Sequence, residues 1–163
     1  RNKSIRDAGG FFKLTGRFPI LNLYKLMKEV DKKSGGGIRL YQDCKDHNVY
    51  EWLHLPINGH AAECRYFVVG LDFYNKYIRG KYRMLNDYEA NGGVVFLVNY
   101  REHKHEDGVY GRFRTQAHLS GVGGHFLGKG NAFFYSTDND SNVMKIKRGV
   151  RQMLRWLLPW WWV

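Results

Sequence analysis

Two glycine clusters divide this chain and limit what it can fold into. Ser34-Gly35-Gly36-Gly37 ends an amphipathic run, and Ser120-Gly121-Val122-Gly123-Gly124 interrupts the chain a second time. Glycines in such a cluster stop a helix, because they adopt left-handed backbone at no steric cost. Short runs of strand length follow each break. The predicted order is a helix, then βββα, a hairpin, and βββ with a shorter helix. The second half reads as a weak repeat of the first.

The elements themselves follow from periodicity. Residues 1–18 are basic and glycine-punctuated and read as an arm. Pro19 suits a first helical position. Ile20, Leu23, Tyr24, Met27 and Val30 then recur at three- and four-residue steps, with Lys25, Lys28, Lys32 and Lys33 off that stripe. Ile38–Tyr41, Val49–Leu55 and Ala61–Val69 read as strands, with Asn58-Gly59 as a hairpin turn. A helix is predicted over Asp72–Glu89, weakened at Gly80 by about 1 kcal/mol. Val94–Tyr100 is the richest strand pattern, and Val109–Gln116 is its predicted hairpin partner. Gly124–Leu127, Asn131–Thr137 and Val143–Lys147 read as strands, and Gly149–Leu158 as a short helix before Pro159.

Charge narrows the function. Among 163 residues, 26 Lys and Arg oppose 15 Asp and Glu, leaving +11. A domain with that much self-repulsion is matched to an anionic partner. Aromatics make up 16% of the chain. Basic and aromatic residues together suit a surface that neutralises phosphates and stacks bases. Two cysteines exclude a disulfide-dense scaffold. No apolar run approaches the roughly 20 residues of a membrane span, so no membrane partner is expected.

The first βββα unit resembles the AP2 domain of plant and apicomplexan proteins. Gly37-Ile38-Arg39, Tyr50-Glu51-Trp52, Asn58-Gly59 and Arg65-Tyr66-Phe67-Val68-Val69 carry the resemblance. Ser120-Gly121-Val122, Asn131-Ala132-Phe133 and Val143–Lys147 extend it to a second unit. It implies an α+β fold of two AP2-like units, each a three-stranded antiparallel sheet plus a helix. The units would be joined by a β-hairpin and preceded by the N-terminal helix. The corresponding divisions are 1–34, 35–91, 92–118 and 119–163. It also implies that one sheet face meets nucleic acid.

The period of two supplies candidate residues for that face. Ile38, Leu40, Val49, Leu53, Leu55, Ala62, Cys64, Tyr66 and Val68 share an inner side, with Glu51 as an exception that needs a partner. Arg39, Tyr41, Tyr50, Trp52, His54 and Arg65 share the outer side, a basic and aromatic platform. Arg112 and Arg114 alternate with apolar positions in the hairpin. Lys145 and Lys147 point outward in the second unit, opposite Met144 and Ile146.

Other chemistries compete. Cys44-x2-His47 and His60-x3-Cys64 imitate zinc-finger spacing. An extended strand between them would hold the pairs about 25 Å apart, so no metal and no cofactor is expected. Glu63-Cys64-Arg65, a helix and Gly92-Gly93-Val94–Val98 resemble the PD-(D/E)xK nucleases, including Holliday-junction resolvases. Such sites need Mg²⁺ and a Lys, and here Arg65 stands where the Lys would be. Asp43, Asp46 and Glu51 are the candidates for the missing acid. His103-x-His105 reads as solvated surface.

The chain closes on Trp160-Trp161-Trp162-Val163 after Pro159. Three indoles in water form an aggregation-prone patch, so they are expected to bind a protein or RNA neighbour. The reading that joins these features is a non-catalytic RNA-binding protein, specifically an rRNA-binding component of a mitochondrial ribosome. Arg1 in place of an initiating Met is taken to fit a removed presequence. The alternatives are a nuclear DNA-binding regulator of the AP2 type and an active or decayed PD-(D/E)xK nuclease.

Overall fold

The computed structural model describes residues 9–15, 19–46, 51, 53–54, 60–85, 92–122, 134–136 and 141–159. His47, Tyr50, Trp52 and Trp160–Trp162 lie outside the described residues. The architecture is α+β. Its elements are β1 (Gly10–Leu14), α1 (Leu23–Ser34), β2 (Leu40–Tyr41), β3 (Cys44–Lys45), β4 (Ala61–Ala62), β5 (Tyr66–Gly70) and the single turn α2 (Leu71–Phe73). There follow α3 (Gly92–His103), β6 (Val109–Tyr110), β7 (Ser120–Val122), β8 (Phe134–Ser136) and α4 (Asn142–Leu157).

A four-stranded sheet in the order β1-β5-β2-β6 is the centre. β5 runs antiparallel to β1 and β2, and β2 runs parallel to β6. β3 pairs with β4, and β7 with β8, as separate two-stranded sheets. β1 comes from the basic arm and β6 from the expected connector, so both join the sheet that holds β2 and β5.

The sheet is buried on both faces, which corrects the expected half-buried platform. The cause lies in β5. Tyr66-Phe67-Val68-Val69 is apolar at every position, so both sides need cover. Tyr66 and Val68 pack with Tyr41, Leu26, Phe113 and Leu119 under α1. Phe67 and Val69 pack with Leu40, Phe73, Ile78 and Val109 on the other side. Tyr41, expected on the outer face, is fully buried and stacks on Phe113 with ring centroids 4.0 Å apart. On α1 the buried line passes through Leu26, while Tyr24 and Met27 are exposed.

Four local expectations are also corrected. Val94–Tyr100 is not a strand but the middle of α3. A helix brings Phe96 and Tyr100, four residues apart, onto one face against the sheet core. The edge of β2 where a strand would pair is occupied by β6, so Val109–Gln116 is not a hairpin partner of Val94–Tyr100. The helix expected over Asp72–Glu89 breaks into α2, a π turn at Tyr74–Ile78 and a 3-10 turn at Lys81–Met84. Gly80, at φ 86°, takes the left-handed conformation that ends the π turn. Val143–Lys147 is helical, because Ser141 caps α4 by accepting a hydrogen bond from the Met144 amide. Within the expected strand Val49–Leu55, the described residues Glu51, Leu53 and His54 lie in helical or turn backbone.

Candidate nucleic-acid interface

Residues 113–118 cross the α1 side of the sheet in neither helix nor strand. Buried backbone amides and carbonyls there need partners, and side chains supply them. Asp43 Oδ1 accepts from the Phe113 amide at 2.9 Å. The Glu29 carboxylate accepts from the Arg114 and Thr115 amides at 2.6 and 2.8 Å. Gln152 of α4 accepts from the Gln116 amide at 2.8 Å and donates to the Arg114 carbonyl at 2.6 Å. Asn22 does the same for the Gln116 carbonyl and the His118 amide, at 2.8 and 2.7 Å. The segment is thus pinned between α1 and α4.

The anchor below it is a buried ion pair. Arg155 of α4 donates to both Asp43 oxygens at 3.0 and 3.1 Å and to the Phe113 carbonyl at 2.8 Å. The Tyr66 hydroxyl donates to Asp43 at 2.7 Å. Asp43 and Arg155 are almost fully enclosed, and the charge on each requires the other.

Two concave, cation-lined pockets flank the pinned segment. One, of about 380 Å³, is lined by Lys33, Lys104, His105, Arg112, Arg114 and Tyr110, with Cys44 and Asp46 among its other walls. The second, of about 450 Å³, is lined by Lys25, His118, Lys145, Arg148 and Trp156. Consecutive residues, Arg114 and Thr115, belong to the two pockets, so they adjoin. Lys33 Nζ lies 3.8 Å from the Tyr110 ring centroid. Burial and the neighbouring Arg114 charge pull the Lys33 ammonium below its ordinary range, against the pull of Glu29. Burial and the Arg155 charge push the Arg112 guanidinium down to about 10. Both shifts mark a place where positive charge is crowded. A bound anion relieves that crowding. Asp46, on the same wall, pairs with Arg101 and Lys104 and offsets part of that charge, leaving Lys33, Arg112 and Arg114 as the crowded group.

The expected site residues separate clearly. Arg112 and Arg114 enter the first pocket and Lys145 the second. Lys147 is exposed on the same helix. Arg39 pairs with Glu106 and lies over the Phe73 ring. Arg65 forms a two-point ion pair with Glu63. His54 is exposed in a turn with φ 55°.

The metal and nuclease candidates have structural partners. Cys44 packs with Ala62 and Leu97 in the core, where burial pushes its thiol up. His60 Nδ1 lies 3.0 Å from the Lys45 carbonyl, and its Nε2 3.4 Å from Glu51. Among the described residues no three His, Cys, Asp or Glu side chains are grouped to hold a metal ion. Glu63 faces Arg65, Asp46 faces Arg101, and Asp43 faces Arg155.

Periodicity did mark Lys25 and Lys33 as cations off the apolar stripe of α1, but nothing local joined them to Lys145, Arg148 or Trp156. The residues that shape the interface without lining its first pocket, Glu29, Asn22 and Gln152, carry no motif at all. Glu29→Ala removes the acceptor for two backbone amides and for the Tyr41 hydroxyl. Charged acceptors of this kind contribute about 1.5–3 kcal/mol each, and the loss here is expected at about 2–3 kcal/mol. Chemical denaturation measures it, and a loss below about 0.5 kcal/mol would show that Glu29 does not hold the segment.

Compared with known proteins, the chain matches no family model, no curated protein and no solved structure.

Proposed function

We propose that this protein binds RNA, without catalysis, through the two adjoining pockets beside residues 113–118. The observation that carries the reading is the lining itself: seven Lys and Arg side chains, two His, Tyr110 and Trp156 around concave space. Cations along a groove track a phosphate backbone, and an aromatic ring between them stacks a base. Concavity favours RNA over duplex DNA. Each pocket has room for a splayed nucleotide, which is how single-stranded RNA is read, whereas a duplex is read by an element that projects into its groove. In its most specific form the proposal is an rRNA-binding structural component of a mitochondrial ribosome. The net charge of +11 supports a partner of that kind.

The test is titration of a fluorescent single-stranded RNA across a salt series, beside a random duplex DNA. Four to six neutralised phosphates at about −0.7 each give a log–log slope of roughly −3 to −4 for the RNA. Duplex DNA is expected to bind more weakly at every salt concentration. Affinity for one duplex sequence several kcal/mol above random DNA would move the protein to the DNA-binding class. Absence of salt-dependent RNA binding would overturn the proposal.

A further inference from the structure

α4 is mounted on the domain with its polarity reversed. A surface helix ordinarily turns its apolar stripe to the core and its charges to water. Here Arg155 is the buried side chain, and Gln152 bonds the pinned segment beside it. Val143, Ile146, Val150, Met153 and Leu157 are all exposed, by 46% to 72%. Their spacing is 3, 4, 3 and 4 residues, the step of a heptad seam. At 100° per residue the five fall within an arc of about 80°, and Arg155 lies about 160° from its centre. The stripe therefore points directly away from the body of the protein.

We infer that this stripe is a docking seam for one amphipathic α-helix of another protein, with carboxylates flanking its apolar face. This goes beyond RNA binding and does not depend on it. Three features choose the occupant. The five keep strict a/d spacing, which one helix covers; of the other apolar residues of α4, Trp156 lines the second pocket, Leu154 is half-buried, and Met144 lies about 100° beyond Val143. Val143 and Val150 occupy alternate seam positions with Ile146 and Met153 between them, an arrangement that knobs-into-holes packing accepts. Charge decides the rest. α4 holds Lys145, Lys147, Arg148, Arg151 and Arg155 and no acidic residue. Lys147 borders the seam, so a second copy would set like charges together, whereas Glu or Asp on a partner helix would complement them. The seam spans about 21 Å, two heptads, which is short for an isolated coiled coil and suited to one contact within a larger assembly.

The probe is a synthetic helix of about three heptads with Ile at a, Leu at d and Glu at e and g. Its counterpart carries Lys at e and g. The full chain is titrated with each peptide, and separately with vesicles of phosphatidylcholine and phosphatidylserine. The Glu peptide is expected to bind at least tenfold tighter than the Lys peptide. Ile146→Gln with Val150→Gln should weaken peptide binding at least tenfold while leaving the thermal midpoint and RNA affinity unchanged, since both side chains already face outward and the substitutions add no charge beside Lys145 and Arg148. Four results would overturn the inference: equal binding of both peptides, binding that survives the double substitution, vesicle binding without peptide binding, or a wild-type dimer that the double substitution dissociates. A large loss of stability in the double variant would also overturn it, because the stripe would then be covered by the chain itself. RNA binding without peptide binding would leave the proposed function standing and remove only the seam.

Discussion

Arg155→Leu is expected to destabilise the protein by about 3–5 kcal/mol, because it leaves the Asp43 carboxylate buried without its counter-charge. The leucine fills much of the space but offers nothing to the two Asp43 oxygens or to the Phe113 carbonyl that Arg155 now serves. Tyr66 and the Phe113 amide still donate to Asp43, yet neither carries charge. With total stability of a domain near 5–15 kcal/mol, the change is a large fraction of it. At a urea slope of about 2 kcal/mol per molar, the midpoint should fall by about 2 M. Arg155 is also the buried side chain of α4. Its loss should loosen that helix and weaken RNA binding through Lys145 and Arg148. Asp43→Leu combined with Arg155→Leu removes both charges and should recover part of the stability. An Arg155→Leu variant within about 1 kcal/mol of wild type would show that the pair does not hold α4.

Arg114→Glu combined with Lys145→Glu is expected to reduce RNA affinity by about 600-fold at about 0.1 M salt. Each lost phosphate contact removes close to 0.7 of a log unit there, and reversal adds repulsion of similar size. Both side chains are exposed, so the thermal midpoint should hold. The residues belong to different pockets, which makes the pair a test of whether one strand of RNA contacts both. If it does, the salt slope should become shallower by about 1.4, two phosphates at about 0.7 each. Arg39→Ala and Arg65→Ala provide the contrast. Glu106 and Glu63 already engage these guanidinium groups, so their removal should change RNA affinity less than threefold, about 0.6 kcal/mol. The opposite pattern, with Arg39 and Arg65 essential and the pocket reversals silent, would move the interface to the surface around those two residues.

Several elements follow from local chemistry alone. Gly35-Gly36-Gly37 ends α1 after Ser34, and the stepped apolar residues before it make the helix. Tyr66–Val69 is a strand because β-branched and aromatic residues fill it, and it sits centrally because it has no polar face to expose. α4 ends just ahead of Pro159 for the steric reason any helix does. The excess of Lys and Arg over Asp and Glu, and what it demands of a partner, is a property of composition.

Tertiary structure decided the rest, because the deciding partners are distant in the chain. Val94–Tyr100 has the side chains of a strand, and only the parallel placement of β6 against β2 leaves it to pack as a helix. Alternation placed Arg39 and Arg65 on a binding face, but Glu106, 67 positions beyond Arg39, takes the first, and Glu63 takes the second. Asp43 and Arg155 are separated by 112 positions, and no pattern in either neighbourhood announces the pair. That one bond turns the polar side of α4 inward. The periodicity of α4 states that one face is apolar. Which face meets the domain depends on a charge that must be buried opposite its partner, and that is a property of the folded chain.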